Sequence, residues 1–288
     1  MKITLLGTGT PIPSLKRSSS GYMIEVGHDV ILLDHGPGAF TRLMQAGKSA
    51  KDVTHVFLSH LHFDHCGDLP RLFHHRWDAN GGVAPRFALY GPEGTQEMVD
   101  RLFGPQGAYC LDLTARTNHP ESLRIFEGRG GGKSRPWPDT SVEKITNGSV
   151  VEGKGWRLHA IGVIHHQPHL ESIGFRIEAD GKIFAFTSDV KLSGTQGPVK
   201  SLYALAKDAD ILVHYLNGFD HEVVKPGAVS KQHVVATLAR DAHVKTLITT
   251  HHGPSIDKDG TREQVIADIR EIYKGKLIWG QDLMSFEL

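Results

Sequence analysis

The chain has 288 residues, 39 % of them apolar, and its 32 Lys and Arg balance 32 Asp and Glu. Zero formal charge argues against a protein whose main task is gripping long nucleic acid, where phosphate neutralisation dominates binding, and no tract is apolar for long enough to span a bilayer. Two cysteines, Cys66 and Cys110, are too few for a disulfide framework, which leaves 19 histidines as the outlying number.

The opening "MKITLLGTGTPIP" has one Lys and a short apolar stretch before Gly and Pro. A signal peptide needs a longer apolar region, so this reads as a first strand and the expected location is the cytoplasm. Further strands are expected at 22–26, 30–34, 55–59 and 86–90, with helices over 38–47, 67–78 and 93–104. The second half repeats the alternation: strands over 156–165, 172–179, 183–187, 210–214 and 245–250, helices near 198–207, 230–241 and 261–273. An Asp-Gly pair in "EADGK" (178–182) marks a hairpin. Hairpins mixed with crossovers fit an α/β fold with strands layered between helices. With no repeat and no clear linker, 1–288 reads as one domain.

Residues 117–140 are rich in Gly, Pro and Arg, and their centre is expected to be an exposed loop or lid. Within it "GRGGGKS" (128–134) nearly mimics a phosphate-binding loop. That motif needs Gly where Glu127 stands, and the following "RPWP" forbids the helix that should hold the phosphate. The "GTG" at 7–9 likewise lacks the third glycine of a dinucleotide fingerprint.

Apolar runs end repeatedly in the same kind of residue. His60 and His62 follow "HVFLS", His165 and His166 follow "LHAIGVI", and Asp189 closes "IFAFTSD". His214 lies in "DILVHY", and His251 and His252 follow "TLITT". Functional groups of α/β sheets gather where strands emerge, because loops there can be decorated without disturbing the core. The densest cluster is "SHLHFDH", where His60 and His62 share a face of an extended segment. A turn after them can bring Asp64 and His65 to the other side of the same point. Three imidazoles and a carboxylate in one short loop suit a zinc-like ion better than Mg²⁺ or Ca²⁺. Taken singly, Asp64 would read as a helix N-cap; taken together, H-x-H-x-D-H is a metal motif. His74 and His75 on the next helix read as packing residues, and Cys66 as a small residue at a crowded helix start.

"SHLHFDH" resembles the H-x-H-x-D-H signature of the metallo-β-lactamase superfamily. The similarity extends through "LLGTGTPIPSLKRSSSGYMIEVG", "ILLDHGPGAFTRLMQAG", "HHQPHLESIGFRIEADGKIFAFTSD" and "VKTLITTHHGP", which resemble its ribonuclease Z and arylsulfatase-like branch. The resemblance implies an αββα sandwich of two mixed sheets flanked by helices, with a two-metal site in the groove between the sheets. It places His60, His62 and His165 (ahead of His166) on a first ion. Asp64, His65 and His251 (ahead of His252) fall on a second, with Asp189 bridging. It favours zinc, with manganese or iron as alternatives, and a homodimer.

Two such ions about 3.5–4 Å apart would share a water and lower its pKa, giving a nucleophile at neutral pH. Asp64 would orient that nucleophile and His214 would protonate the leaving group. Ribonuclease Z relatives follow the counterpart of His214 with Glu-Ala-Thr, whereas this chain reads "HYLNG", with Tyr215 in the Glu position. A second family histidine stands here as Val229 before Ser230. Those departures favour a small-molecule ester substrate, with phosphodiesters ahead of lactones, sulfate esters and β-lactams. A ribonuclease Z-like nuclease, gripping RNA through the basic loop 124–138, and a low-activity metal sensor or partner protein are the competing expectations.

Overall fold

The computed structural model describes residues 1–79, 87–191, 200–216 and 231–288. In the first half these form β1 (Lys2–Gly7), β2 (Gly21–Val26), β3 (Asp29–His35), α1 (Ala39–Gln45), β4 (His55–Phe57), α2 (Phe63–Cys66), α3 (Leu69–Ala79) and β5 (Ala88–Gly91). Then come α4 (Thr95–Phe103), α5 (Cys110–Asn118), α6 (Pro120–Gly128), β6 (Glu143–Lys144), β7 (Val150–Gly153), β8 (Trp156–Gly162), β9 (Ile173–Ala179) and β10 (Lys182–Phe186). The chain closes with α7 (Lys200–Ala206), β11 (Ile211–Tyr215), α8 (Lys231–Asp241), β12 (Thr246–Thr250), α9 (Thr261–Ile272), β13 (Lys276–Trp279) and β14 (Ser285–Glu287).

Two sheets result, ordered β14-β1-β2-β3-β4-β5-β6 and β13-β12-β11-β10-β9-β8-β7. Each joins an antiparallel part to a parallel part: β1 to β3 are antiparallel and β3 to β6 parallel, while β7 to β10 are antiparallel and β10 to β13 parallel. Strand alternation sorts the side chains between layers. Ile24, Leu33 and Phe57 of the first sheet meet Phe175, Phe184 and Val213 of the second in the central core. The alternate residues Leu32, Val56 and Leu89 pack under α1, α3 and α4, and Ala185, Leu212 and Leu247 pack under α7, α8 and α9. This is the αββα sandwich that the resemblance implied.

The Asp-Gly hairpin forms as expected: Asp180 and Gly181 take φ of 52° and 70° between β9 and β10, the left-handed pair that a two-residue turn requires. The Gly-rich centre of 117–140 is irregular and mostly exposed, as expected of a loop, whereas the residues before it form a helix. Pro120 stands at the first helical position, His119 Nδ1 accepts from the Glu121 N–H, and α6 runs to Gly128. Beyond a short exposed segment the chain folds down again. The Arg135 guanidinium lies 3.7 Å over the Trp77 ring, and Arg129 and Arg135 both bond Asp78. Asp78 is at the end of α3 remote from the histidine-bearing loop, so this segment caps α3 rather than the histidines. Val229 and Ser230 lie outside the described residues.

Candidate metal centre

Four of the clustered side chains are delivered within six residues by one turn of the backbone. β4 ends at Phe57, and His60 and His62 follow in extended chain, with His62 at φ −65° and ψ 143°. The single turn α2 then swings Asp64 and His65 inward, and both are buried. Tight packing fixes that turn: a Cβ at Gly36 would sit 1.9 Å from the Asp64 carbonyl oxygen, so only glycine fits beneath it. Strain gathers at the same place. Asp34, Ser188 and His251 all hold positive φ (58°, 56° and 60°) where strands of both sheets end, a conformation costly for residues with side chains.

These ends bring together two groups able to hold an ion: His60, His62, His165 and Asp189 in one, Asp64, His65 and His251 in the other. In the first, His62 Nδ1 lies 3.1 Å from His60 Nε2 and 3.3 Å from His165 Nε2. Tetrahedral zinc with Zn–N of about 2.0–2.1 Å would put its nitrogens about 3.3–3.4 Å apart. The opposite ring nitrogens already have neighbours: His60 Nδ1 lies 2.9 Å from Ser59 Oγ, and His62 Nε2 lies 3.3 Å from His166 Nδ1. Protons held there leave lone pairs facing one another, which is stable when a cation sits between them. In the second group His65 Nε2 is buried with no well-formed hydrogen bond among the described residues, although Asp64 and Asp189 oxygens lie 3.4 Å away. Asp189 faces both groups, Oδ1 at 3.4 Å from the Nε2 atoms of His65 and His251, and Oδ2 at 3.8 Å from His165 Nε2.

The electrostatics favour the ligand forms. Burial, reinforced by the neighbouring His65 charge, holds His60 well below the usual imidazole range; burial also brings His165 down to about 4, against the pull of Asp189. Burial alone would raise Asp64 and Asp189, but His251 and His65 outweigh it and keep both carboxylates ionised. Burial would lower His65 too, yet Asp189 and Asp34 overcome it and raise its pKa. Without an ion a proton is drawn to that position, so proton and metal compete for one place.

Among the remaining candidates, His252 turns away from both groups. It stacks on Trp279 at 3.8 Å between centroids, with Nε2 at 3.2 Å from Thr249 Oγ1. His74 packs edge-on against Phe103 and Tyr109, and His75 against Phe40. The Cys66 thiol donates to the His62 carbonyl, and burial pushes it up to about 12, so it stays a thiol. His214, expected as a proton donor and not as a ligand, belongs to neither group. It follows Leu212 in the alternation of β11, toward the helix layer, and is fully buried with Nδ1 on the Tyr215 carbonyl at 2.6 Å. The ring of Tyr215 stands beside His251 instead, at 4.8 Å between centroids.

Asp34 is the residue that motif reading passed over. Buried at the end of β3, it accepts from Ser59 N–H (2.7 Å) and Ser59 O–H (2.9 Å), and its Oδ2 lies 2.6 Å from His65 Nδ1. That is the carboxylate–histidine arrangement which orients a metal ligand. The signal was present: "VILLD" is another apolar run ending in a carboxylate.

Residues 16–251 match the family model of the metallo-beta-lactamase superfamily. The chain belongs to this superfamily. Ribonuclease Z of Mycobacterium marinum is 32 % identical over 298 residues, spanning 100 % of this chain and 99 % of that protein. Ribonuclease Z of Mycolicibacterium gilvum is 31 % identical over 265 residues, 89 % of this chain and 85 % of that one. Two solved structures share the fold. The metallo-beta-lactamase fold protein YhfI of Bacillus subtilis has a TM-score of 0.70 at 17 % identity, covering 99 % of this chain and 98 % of its own. Human tRNase Z, short form, has a TM-score of 0.66 at 20 % identity, covering 100 % and 99 %. As a metallo-beta-lactamase superfamily member in the ribonuclease Z branch, the protein is a metal-dependent hydrolase. Among the described residues no helix is long and apolar enough to cross a membrane.

Proposed function

We propose that the protein is a two-metal phosphodiesterase that cuts RNA, a single-domain cytoplasmic enzyme of the ribonuclease Z type, active as a homodimer. The observation that carries this reading is identity of about a third with ribonucleases Z along the entire chain, on top of two convergent donor groups. It reverses the order reached from sequence, which put a small ester ahead of RNA. The basic loop expected to grip RNA is not part of the reading, because Arg129 and Arg135 are committed to Asp78.

His60, His62, His165 and Asp189 would hold one ion through their neutral nitrogens and a carboxylate, and Asp64, His65 and His251, with Asp189 beside them, would hold the other. All-nitrogen and carboxylate donors of this kind fit zinc, and also manganese or iron. When bound, such a pair supplies an acidified water and stabilises charge on the phosphoryl oxygens. Asp64, ionised and bonded to His251 Nε2 at 3.1 Å, has an oxygen placed to orient the attacking group. Asp34 holds the His65 ring in register. The Tyr215 ring stands beside His251 at 4.8 Å between centroids, in the place where the branch carries Glu, and its phenol is a weaker acid partner than that carboxyl; His214 remains the other candidate proton donor.

That substitution favours one second reading, a small phosphodiester as substrate. Single-turnover cleavage separates the two. A precursor transfer RNA with a 3′ extension should be cut at its discriminator end faster than bis-p-nitrophenyl phosphate, with both reactions lost in His60→Ala. Turnover of the small diester with an inert precursor would replace the first reading by the second, and inertness toward both would remove the phosphodiesterase reading altogether.

A further inference from the structure

His165 and His166 are neighbours, and pleat parity would send one toward the ligand group and the other away. Both instead reach His62. His165 Nε2 lies 3.3 Å from His62 Nδ1, and His166 Nδ1 lies 3.3 Å from His62 Nε2, on the opposite edge of the same ring. The backbone makes this possible: β8 has ended at Gly162, His166 forms a lone bridge with Leu170, and the Gln167 side chain closes a turn, accepting from the His165 N–H (2.7 Å) and donating to the Val163 carbonyl (2.8 Å). The rings of His165 and His166 stand 4.1 Å apart at 31°, and each lies 5.0 Å from the His62 ring, at 79° and 65°. His62 is thus clasped from two sides.

The chemistry of the clasp is directional. If His62 is to give a lone pair from Nδ1, its proton must sit on Nε2, where His166 Nδ1 is the acceptor in reach. We infer that His166 is a positioning residue: its Nδ1 accepts the His62 Nε2–H, fixes the tautomer and angle of that ring, and so sets the metal affinity of the His60, His62, His165 and Asp189 group. His166 itself is absent from that group, whose nitrogens and oxygens lie within 4.8 Å of one another. His62 needs such a partner more than its neighbours do. His60 is fully buried and held by Ser59 and Ser188 at 2.9 and 3.3 Å, and His65 is fully buried against Asp34, whereas His62 is partly exposed. The inference rests on the metal-centre reading above and adds to it the reason for a histidine pair at 165–166.

Zinc binding to the purified full chain, measured by competition with a chromophoric chelator, tests it without reference to turnover. His166→Ala should weaken one of two zinc sites by about 10- to 100-fold, the usual effect of losing an outer-sphere partner, while two ions still bind at saturating zinc. His166→Asn, whose side-chain oxygen can accept from His62, should recover most of the loss. Cobalt substitution should give the same absorption intensity in wild type and His166→Ala, because the ligand count is unchanged. Unaltered zinc affinity in His166→Ala overturns the inference. So does a fall to one ion per chain or a changed cobalt band, which would make His166 a ligand. A wild-type chain that binds no zinc would instead remove the metal-centre reading, and circular dichroism of each variant separates loss of binding from loss of fold.

Discussion

Asp34→Asn perturbs the centre without adding volume and at a φ that asparagine tolerates. One carboxylate oxygen of Asp34 accepts from the Ser59 N–H, and the other meets both the Ser59 hydroxyl and His65 Nδ1. An amide can keep one of these edges and not both. With its NH₂ toward Ser59 N–H, two donors collide; with its NH₂ toward His65, the ring proton is pushed to Nε2, the atom that faces Asp64 and Asp189. A hydrogen bond to a charged group contributes about 1.5–3 kcal/mol, which converts to a loss of about ten- to 150-fold in metal affinity. The fall should be larger at the site built on His65 than at the His60 site, which Asp34 reaches only through the Ser59 hydroxyl and which shares Asp189. Chelator competition resolves the two affinities, and urea unfolding of the metal-free variant shows whether the fold survives. A folded Asp34→Asn chain that binds both ions as tightly as wild type would refute the argument that this carboxylate orients His65.

Three further outcomes follow from the same geometry. His60→Ala and His65→Ala should each lower hydrolysis by at least about 10³-fold, since each removes a donor and leaves buried partners uncompensated; steady-state rates with added zinc check this. Gly36→Ala should displace the Asp64 peptide, because its Cβ would lie 1.9 Å from that carbonyl, costing at least about 1–3 kcal/mol in urea unfolding and weakening metal binding together. His35 carries a pH dependence. Its ring is fully buried, both nitrogens lack hydrogen-bond partners among the described residues, and burial pushes it from 6.5 down to about 3. The unfolded chain therefore takes up a proton below 6.5 that the folded chain refuses, and stability falls as pH drops from there toward 3. The slope is about 1.4 kcal/mol per pH unit. Between pH 7 and 5 wild type should lose about 2 kcal/mol more than His35→Leu, and equal losses would contradict the assignment.

Much of the sandwich could be read from local pattern. The strands of the first meander, the Asp-Gly hairpin and the helices after Thr95, Lys231 and Thr261 follow from period-2 and helical spacing. What escaped was short or half-exposed: β7 alternates exposed and partly buried residues, and β14 is a three-residue edge strand that is a strand because β1 lies beside it. The loop expected at the centre of 117–140 is there, but α6 before it escaped notice because the surrounding Gly and Pro read as breakers, while Pro120 sits at the one helical position where proline is at home. At the site, the H-x-H-x-D-H spacing carried its own geometry, and so did the strand-end placement of Asp189. His214 and Tyr215 did not. Which of two neighbours stands beside the ligands depends on the register of β11, and the ring of Tyr215 is the one that meets His251. His166 and Asp34 escaped because an outer partner is defined by which edge of a ring it touches, which no spacing records.

Anomalous diffraction at the zinc edge, from crystals of protein purified without chelator, tests the central claim most directly. The account predicts two peaks per chain, one among His60, His62, His165 and Asp189, the other among Asp64, His65, His251 and Asp189. Crystals grown with added zinc that carry no anomalous peak at these side chains would contradict it.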